Sequence, residues 1–138
     1  MMTVRVQTED FDAGSEINRL RMARKDIGAV VNFIGQVRDI NDGSEVSQLT
    51  LEHYPGMTEK SLESIVMQAK ARWNIMDVLI IHRVGTLQPC DQIVLVAVTS
   101  GITWRLAARG KVVRAASMTA AIATTDRVNE DGLPGASV

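Results

Sequence analysis

An α+β domain with a largely antiparallel sheet is the fold class this sequence predicts. Strand-like segments rich in β-branched residues interleave with helical stretches that carry apolar stripes. Two pairs of those strand segments lie close enough in the chain to form hairpins, which favours antiparallel pairing. No linker, repeat or low-complexity tract divides the 138 residues, so one domain over 1–138 is expected.

Residues 3–7 alternate and predict a short strand. Ser15 is a candidate N-cap for a helix over about residues 16–25, with Ile17, Leu20 and Met22 facing inward. The run Gly28-Ala-Val-Val-Asn-Phe-Ile-Gly-Gln-Val-Arg38 predicts a buried strand. Residues 39–44, with Asn41-Asp-Gly43, have turn chemistry. Residues 46–54 alternate again, with Leu49, Leu51 and His53 on one face and Thr50, Glu52 and Tyr54 on the other. This strand is expected to pair with residues 28–38 as a hairpin. Pro55-Gly56 breaks it, and Thr58 is the candidate cap of a second helix reaching about Trp73. Ser61 stands where a full capping box would place Glu or Gln. Leu62, Ile65, Val66, Ala69 and Trp73 recur at three- and four-residue spacing as one apolar stripe. Residues 77–84 and 92–99 predict two more strands, and the link Gly85-Thr-Leu-Gln-Pro-Cys-Asp91 holds a turn. Residues 104–123 predict a helix despite Gly110, which costs roughly 1 kcal/mol relative to Ala. Residues 124–138 are polar and turn-rich, and weak order is expected there.

Composition excludes several classes. Lys+Arg 15 against Asp+Glu 16 gives a net charge of -1, unlike a general nucleic-acid binder. A single cysteine, Cys90, rules out an internal disulfide framework. No apolar run approaches the roughly 20 residues of a membrane span, and the polar, alternating N-terminus does not resemble a secretory signal. The default location is cytoplasmic. Zinc-type Cys/His spacing, a Walker loop and Gly-x-Gly-x-x-Gly are all absent from the sequence.

Arg38 ends an otherwise apolar strand beside a Gly/Asn/Asp loop. A guanidinium at a strand mouth can hold an anion, because its stem packs while its fork donates several hydrogen bonds. The commonplace alternative is a solvated strand-end arginine. Phe33, five residues earlier, alternates to the opposite face unless a bulge intervenes, and reads as core. An unperturbed imidazole suits acid–base work, which makes His53 and His82 candidates, but each sits among apolar strand residues and reads as structural. Glu52 and Arg83 adjoin them as a candidate cross-strand ion pair. Cys90 follows Pro89 in a turn with no adjacent His or Lys to activate a thiol, and does not read as a catalytic residue. Arg105, Arg109, Lys111 and Arg114 form a basic cluster in the tail; Arg105 and Arg109 share a face of the expected helix. That cluster could bind a phosphate or an acidic partner, although a solvated helix face is the ordinary reading.

Four segments carry a family resemblance: residues 28–38 as quoted above, Leu51-Glu-His-Tyr-Pro-Gly-Met57, His82-Arg-Val-Gly85 and Val96-Ala-Val-Thr-Ser100. In order and spacing they resemble the large, catalytic subunit of molybdopterin synthase over about residues 28–100. The resemblance implies an α+β fold and a sulfur-transfer activity. The substrate would be cyclic pyranopterin monophosphate, converted to molybdopterin by inserting two sulfurs as a dithiolene. The sulfur donor would be a thiocarboxylated C-terminal glycine on a small ubiquitin-like subunit. It further implies a homodimer inside a heterotetramer, with no metal or other cofactor needed for the step. On this resemblance Gln36, Val37 and Arg38 fall on the substrate-binding strand end, usually Gly-Lys-Val-Arg, with Gln36 in place of lysine. Phe33 matches an aromatic position near that pocket. Cys90 stands where the family usually has glycine; a type II turn would place it at positive φ.

The chain departs from the family pattern at Gly101-Ile-Thr-Trp-Arg-Leu-Ala-Ala-Arg-Gly-Lys111. The usual His-Arg pair and two lysine motifs are absent, and Met118 and Thr125 stand at about the lysine positions. Arg105, Arg109 and Lys111 are the tail cations available to replace them. Two readings follow: a synthase subunit with Arg38 on the anionic substrate, or a homologue, frame-altered near codon 101 or divergent, that serves as a dimeric binding scaffold. Translating the other two frames downstream of codon 101 separates the frame change from divergence.

Overall fold

The structure is a computed structural model that describes residues 2–41, 43–45, 48–52 and 54–101. The expected tail helix, the cluster of Arg105, Arg109 and Lys111, the polar segment 124–138 and His53 lie outside the described residues.

Among the described residues ten elements follow in order: β1 (Met2–Gln7), α1 (Ala13–Met22), β2 (Ala29–Gln36), β3 (Ile40–Asn41), β4 (Ser44–Glu45), β5 (Leu49–Leu51), α2 (Met57–Arg72), β6 (Val78–Arg83), β7 (Gly85–Leu87) and β8 (Gln92–Ser100). The main sheet runs β1-β6-β8-β2. β8 pairs antiparallel with both β6 and β2, and β1 joins β6 in parallel. The expected α+β class with a largely antiparallel sheet is therefore what the chain adopts.

The sheet is covered on both faces. Leu62, Val66 and Ala69 of α2 pack with Val78, Ile80, Val94, Val96 and Val98 on one face. Phe11 and Leu20 pack with Leu79, Ile81, Leu95 and Ala97 on the other, where α1 lies. Double coverage explains why β6 and β8 read as continuous apolar runs rather than alternating ones. Each fully buried Leu, Ile or Val in these layers contributes about 1.5–3 kcal/mol.

Several local expectations shift. Residues 28–38 do not form a hairpin with 46–54. Instead β2 takes β8 as partner and β5 takes β7, with Thr50 and Thr86 hydroxyls 3.3 Å apart. The intervening chain turns back on itself as the β3–β4 pair, with Gly43 at φ +80°. That positive φ suits glycine, and β2 pairs with the long strand β8. The link after β6 accordingly contains β7 before its turn.

Helix α1 is capped by Asp12 rather than Ser15: its carboxylate accepts the Ser15 N–H at 2.8 Å, so the helix starts and ends three residues early. Met22 is 73% exposed instead of inward, because two residues beyond Leu20 lie roughly 200° round the helix. Helix α2 begins after Gly56, at φ +81°, rather than at Thr58. The Glu59 carboxylate reaches back to the Gly56 N–H at 2.9 Å. This is the reciprocal half of a capping box, set two residues earlier than the Thr58 reading.

Candidate functional site

One end of the main sheet gathers polar residues: Gln7 opposes Arg83 across β1 and β6, Gln36 opposes Gln92 across β2 and β8, and the Arg83 side chain bonds to the Gln92 carbonyl. The chain leaves β2 here as Gln36-Val37-Arg38. Gln36 and Arg38 are exposed, whereas Val37 between them is only 4% exposed. Val37 is also tied down on both backbone groups. Its N–H donates to the Asp91 carbonyl and its carbonyl accepts from the Cys90 N–H, both at 2.9 Å. The guanidinium of Arg38 therefore projects from a fixed piece of backbone.

The register slips just before this end. Gly35 opposes Val94 but Gln36 opposes Gln92, which leaves Ile93 as the extra residue. Ile93 and Val94 both pack against the α2-side cluster, as two successive residues at a bulge do. Because the extra residue belongs to β8, alternation along β2 is unbroken. Phe33, opposite Val96, lies on the α2 side and is 39% exposed rather than core as expected, because β2 is the outermost strand of the described sheet. Gln36 pairs with Gln92, whose amide reaches to the α1 side. Gly35 allows this packing: a Cβ there would come within 3.0 Å of Val94 Cγ1 and 3.5 Å of the Phe33 ring.

The turn beside Val37 is type II. Asp91 N–H donates to the Gln88 carbonyl at 2.9 Å, with Pro89 at the second position and Cys90 at φ +74° at the third. Here the conditional expectation for Cys90 is met: a residue with a Cβ occupies a conformation that favours glycine. Cys90→Gly is expected to raise the unfolding free energy by about 0.5–1 kcal/mol, since relief of the left-handed cost of roughly 1–2 kcal/mol is partly offset by glycine's looser unfolded state. A urea midpoint that falls would contradict this.

Behind the strand end, Arg83 is a structural cation. Its Nε and Nη2 donate to the Thr8 carbonyl at 3.2 and 3.1 Å, and Nη1 donates to the Gln92 carbonyl at 3.1 Å. The suggested Arg83–Glu52 pair does not form; Glu52 instead accepts from the Tyr54 hydroxyl at 2.9 Å. Gln92 completes the brace, its amide donating to Asp10 Oδ1 at 3.0 Å and the Phe11 carbonyl at 2.8 Å. His82 is buried within β6, in keeping with a structural role.

Asp10 accepts from the Phe11 N–H, from the Gln92 amide and, at 3.6 Å, faces Arg83. These contacts, the Phe11 bond foremost and the Gln92 bond next, hold its carboxyl below the ordinary 3.8, against the opposing effect of burial. A depressed folded value means the brace contributes above pH 3.8 and loses that contribution as pH falls through the folded value. An acid titration followed by the Gln92 side-chain amide NMR signal is expected to show a midpoint below 3.8. In Gln92→Ala the Asp10 carboxyl, followed by its own side-chain carbon signal, should titrate at higher pH; no change would exclude the amide as a cause.

Sequence reasoning found the strand end but not the brace. Gln92, Asp91 and Asp10 carry no pattern of their own, and only the Pro-Cys-Asp turn hinted at one of them. Among the described residues no group of three or more His, Cys, Asp or Glu side chains could hold a metal ion.

A family model described as MoaE protein matches residues 6–123, extending beyond both ends of the motif-bearing 28–100 stretch. The chain is 65% identical over 101 residues to a molybdopterin synthase catalytic subunit of Ralstonia nicotianae, covering 73% of this chain and 57% of that one. It is 50% identical over 99 residues to the subunit of the same name from Pseudomonas aeruginosa, covering 72% and 66%. The solved structure described as molybdopterin biosynthesis MoaE protein from Burkholderia ambifaria MC40-6 superposes with a TM-score of 0.73. It is 43% identical, over 88% of this chain and 76% of that one. The matched region thus spans less than two thirds of the length of these two curated relatives. Sequence and fold agree along the described sheet and helices: the chain belongs to the MoaE protein family.

Proposed function

We propose that this chain is the catalytic subunit of a molybdopterin synthase. It would convert cyclic pyranopterin monophosphate to molybdopterin with sulfur from a thiocarboxylated small ubiquitin-like subunit. The family supplies the reaction class. The observation in this molecule that supports it is Arg38, an exposed guanidinium on the braced backbone at the end of β2.

The substrate carries a phosphate, and a planar donor fork on rigid backbone binds such an oxyanion with little ordering cost. In this reading Arg38 fixes the phosphate and the Gln36 amide supplies neutral donor and acceptor atoms beside it. The backbone at Val37 sets the spacing, and the exposed ring of Phe33 lines the approach from the α2 side. Positioning the thiocarboxylate tail against the bound pterin is then much of the catalysis. Arg105, Arg109 and Lys111 are the tail cations proposed to take up negative charge as sulfur is transferred.

The partner surface has support of its own. Among the described residues β2 is an edge strand of the main sheet, with Phe33 39% and Ile34 40% exposed on its two sides. Such an edge is normally covered, which fits a homodimer at the centre of a heterotetramer. Among the described residues no helix is long and apolar enough to cross a membrane, and cytoplasmic action is proposed. The test is dithiolene formation from the purified precursor and a thiocarboxylated small subunit. Turnover is expected; tight binding of both partners with no product would sink the enzyme reading and leave a scaffold.

A further inference from the structure

Arg38 has little packing of its own, so its position is set by the backbone that carries it. That backbone is held by one short turn. The Val37 N–H and carbonyl bond to Asp91 and Cys90, and the turn from Gln88 to Asp91 is closed twice. Asp91 N–H donates to the Gln88 carbonyl at 2.9 Å, and Asp91 Oδ2 accepts the Gln88 N–H at 2.8 Å. The second bond matters because Cys90 sits at φ +74°, where a side chain resists the turn. A left-handed cysteine favours opening; the Asp91 carboxylate opposes it.

We propose that Asp91 is a positioning residue for the anion site: its carboxylate locks the Gln88–Asp91 turn, and the turn locks Val37 and so places the Arg38 guanidinium. Asp91 touches no substrate in this scheme. It works wholly through Arg38, and the proposal rests on the reading of Arg38 as the phosphate ligand. Small displacements at such a point are costly, since a shift of about 1 Å can lose on the order of a hundredfold in a positioned reaction.

The test is a double-mutant cycle on the full chain, read as the Kd for cyclic pyranopterin monophosphate by titration calorimetry, with a thermal melt on each variant. Asp91→Ala is expected to weaken binding by about tenfold, less than the hundredfold scale of a fully misplaced group. Asp91→Asn, which keeps an oxygen acceptor for the Gln88 N–H, should stay within about twofold of the parent. In an Arg38→Ala background, Asp91→Ala should add nothing, because the two act on one interaction. Full additivity, or Asp91→Ala binding like the parent, overturns the proposal. So does an Asn variant as weak as the Ala one. If Asp91→Ala does not fold, Asp91→Glu, which moves the carboxylate by one methylene, must weaken binding, and parent-like affinity overturns the idea equally. An Arg38→Ala variant that binds normally fells the anion-site reading itself, and the role of Asp91 with it. Weakened Arg38→Ala beside unaffected Asp91→Ala fells only the role of Asp91.

Discussion

Arg38→Ala is expected to lower kcat/KM for the pyranopterin precursor by about 10- to 100-fold while leaving the melting temperature where it was. The magnitude comes from the bond type. Hydrogen bonds from a charged donor contribute about 1.5–3 kcal/mol, and each 1.4 kcal/mol is tenfold. The unchanged stability follows from exposure, since the Arg38 side chain lies outside both core clusters. Arg38→Lys should recover part of the loss, because an ammonium keeps the charge but not the planar fork. A family member with lysine at position 36 would have a second cation beside the phosphate. This chain has Gln36 there, so on the proposed reading Arg38 carries the phosphate without a lysine beside it. Steady-state kinetics with saturating thiocarboxylated small subunit would decide it, and an unchanged kcat/KM would remove Arg38 from the site.

How far the sequence carries depends on whether a signal is local. β6 and β8 are legible as apolar runs because burial on both faces removes alternation, and α2 is legible from the stripe of Leu62, Val66 and Ala69. Cys90 is legible in a sharper way: Pro89 before it makes a type II turn one of two choices, and the structure takes that choice. Pairing is not legible. The short hairpin after Asp39 hides in a stretch that reads only as a turn, and β2 pairs with β8, not β5, across a long separation in the chain. Caps slip for a similar reason. Asp12 and Ser15 are both good cap residues, and nothing within the helix decides which carboxylate or hydroxyl meets the first free N–H. At the site, Arg38 stands out as a charge ending an apolar strand. Its supports do not, because Arg83 meets a carbonyl 75 residues away and Gln92 one 81 residues away. Side chains bonded to distant backbone leave no spacing in the sequence.

Leu95→Ala should be the most destabilising of the single changes considered, by about 3 kcal/mol within the 2–5 kcal/mol range for buried Leu→Ala. Leu95 is fully buried in the central strand β8, opposite Ile81 on one side and Ile34 on the other. It faces the α1 layer, where Ala97, Phe11 and Leu20 complete a small cluster. Strands on both sides pin the backbone, so the layer has little freedom to collapse into the space a leucine leaves. The paired Ile34 is the control. It lies on the same face but is 40% exposed at the sheet edge, so Ile34→Ala should cost about 1 kcal/mol or less. Urea unfolding should show a lower midpoint for Leu95→Ala with an unchanged m-value, the signature of lost packing rather than altered compactness. Against a typical total of 5–15 kcal/mol, a 3 kcal/mol loss also loosens β8 where it carries Gln92 and the Gln88–Asp91 turn. Precursor affinity should therefore fall in Leu95→Ala before the chain unfolds, whereas in Ile34→Ala it should not; equal affinities in the two variants would separate the core of the sheet from the site at its end.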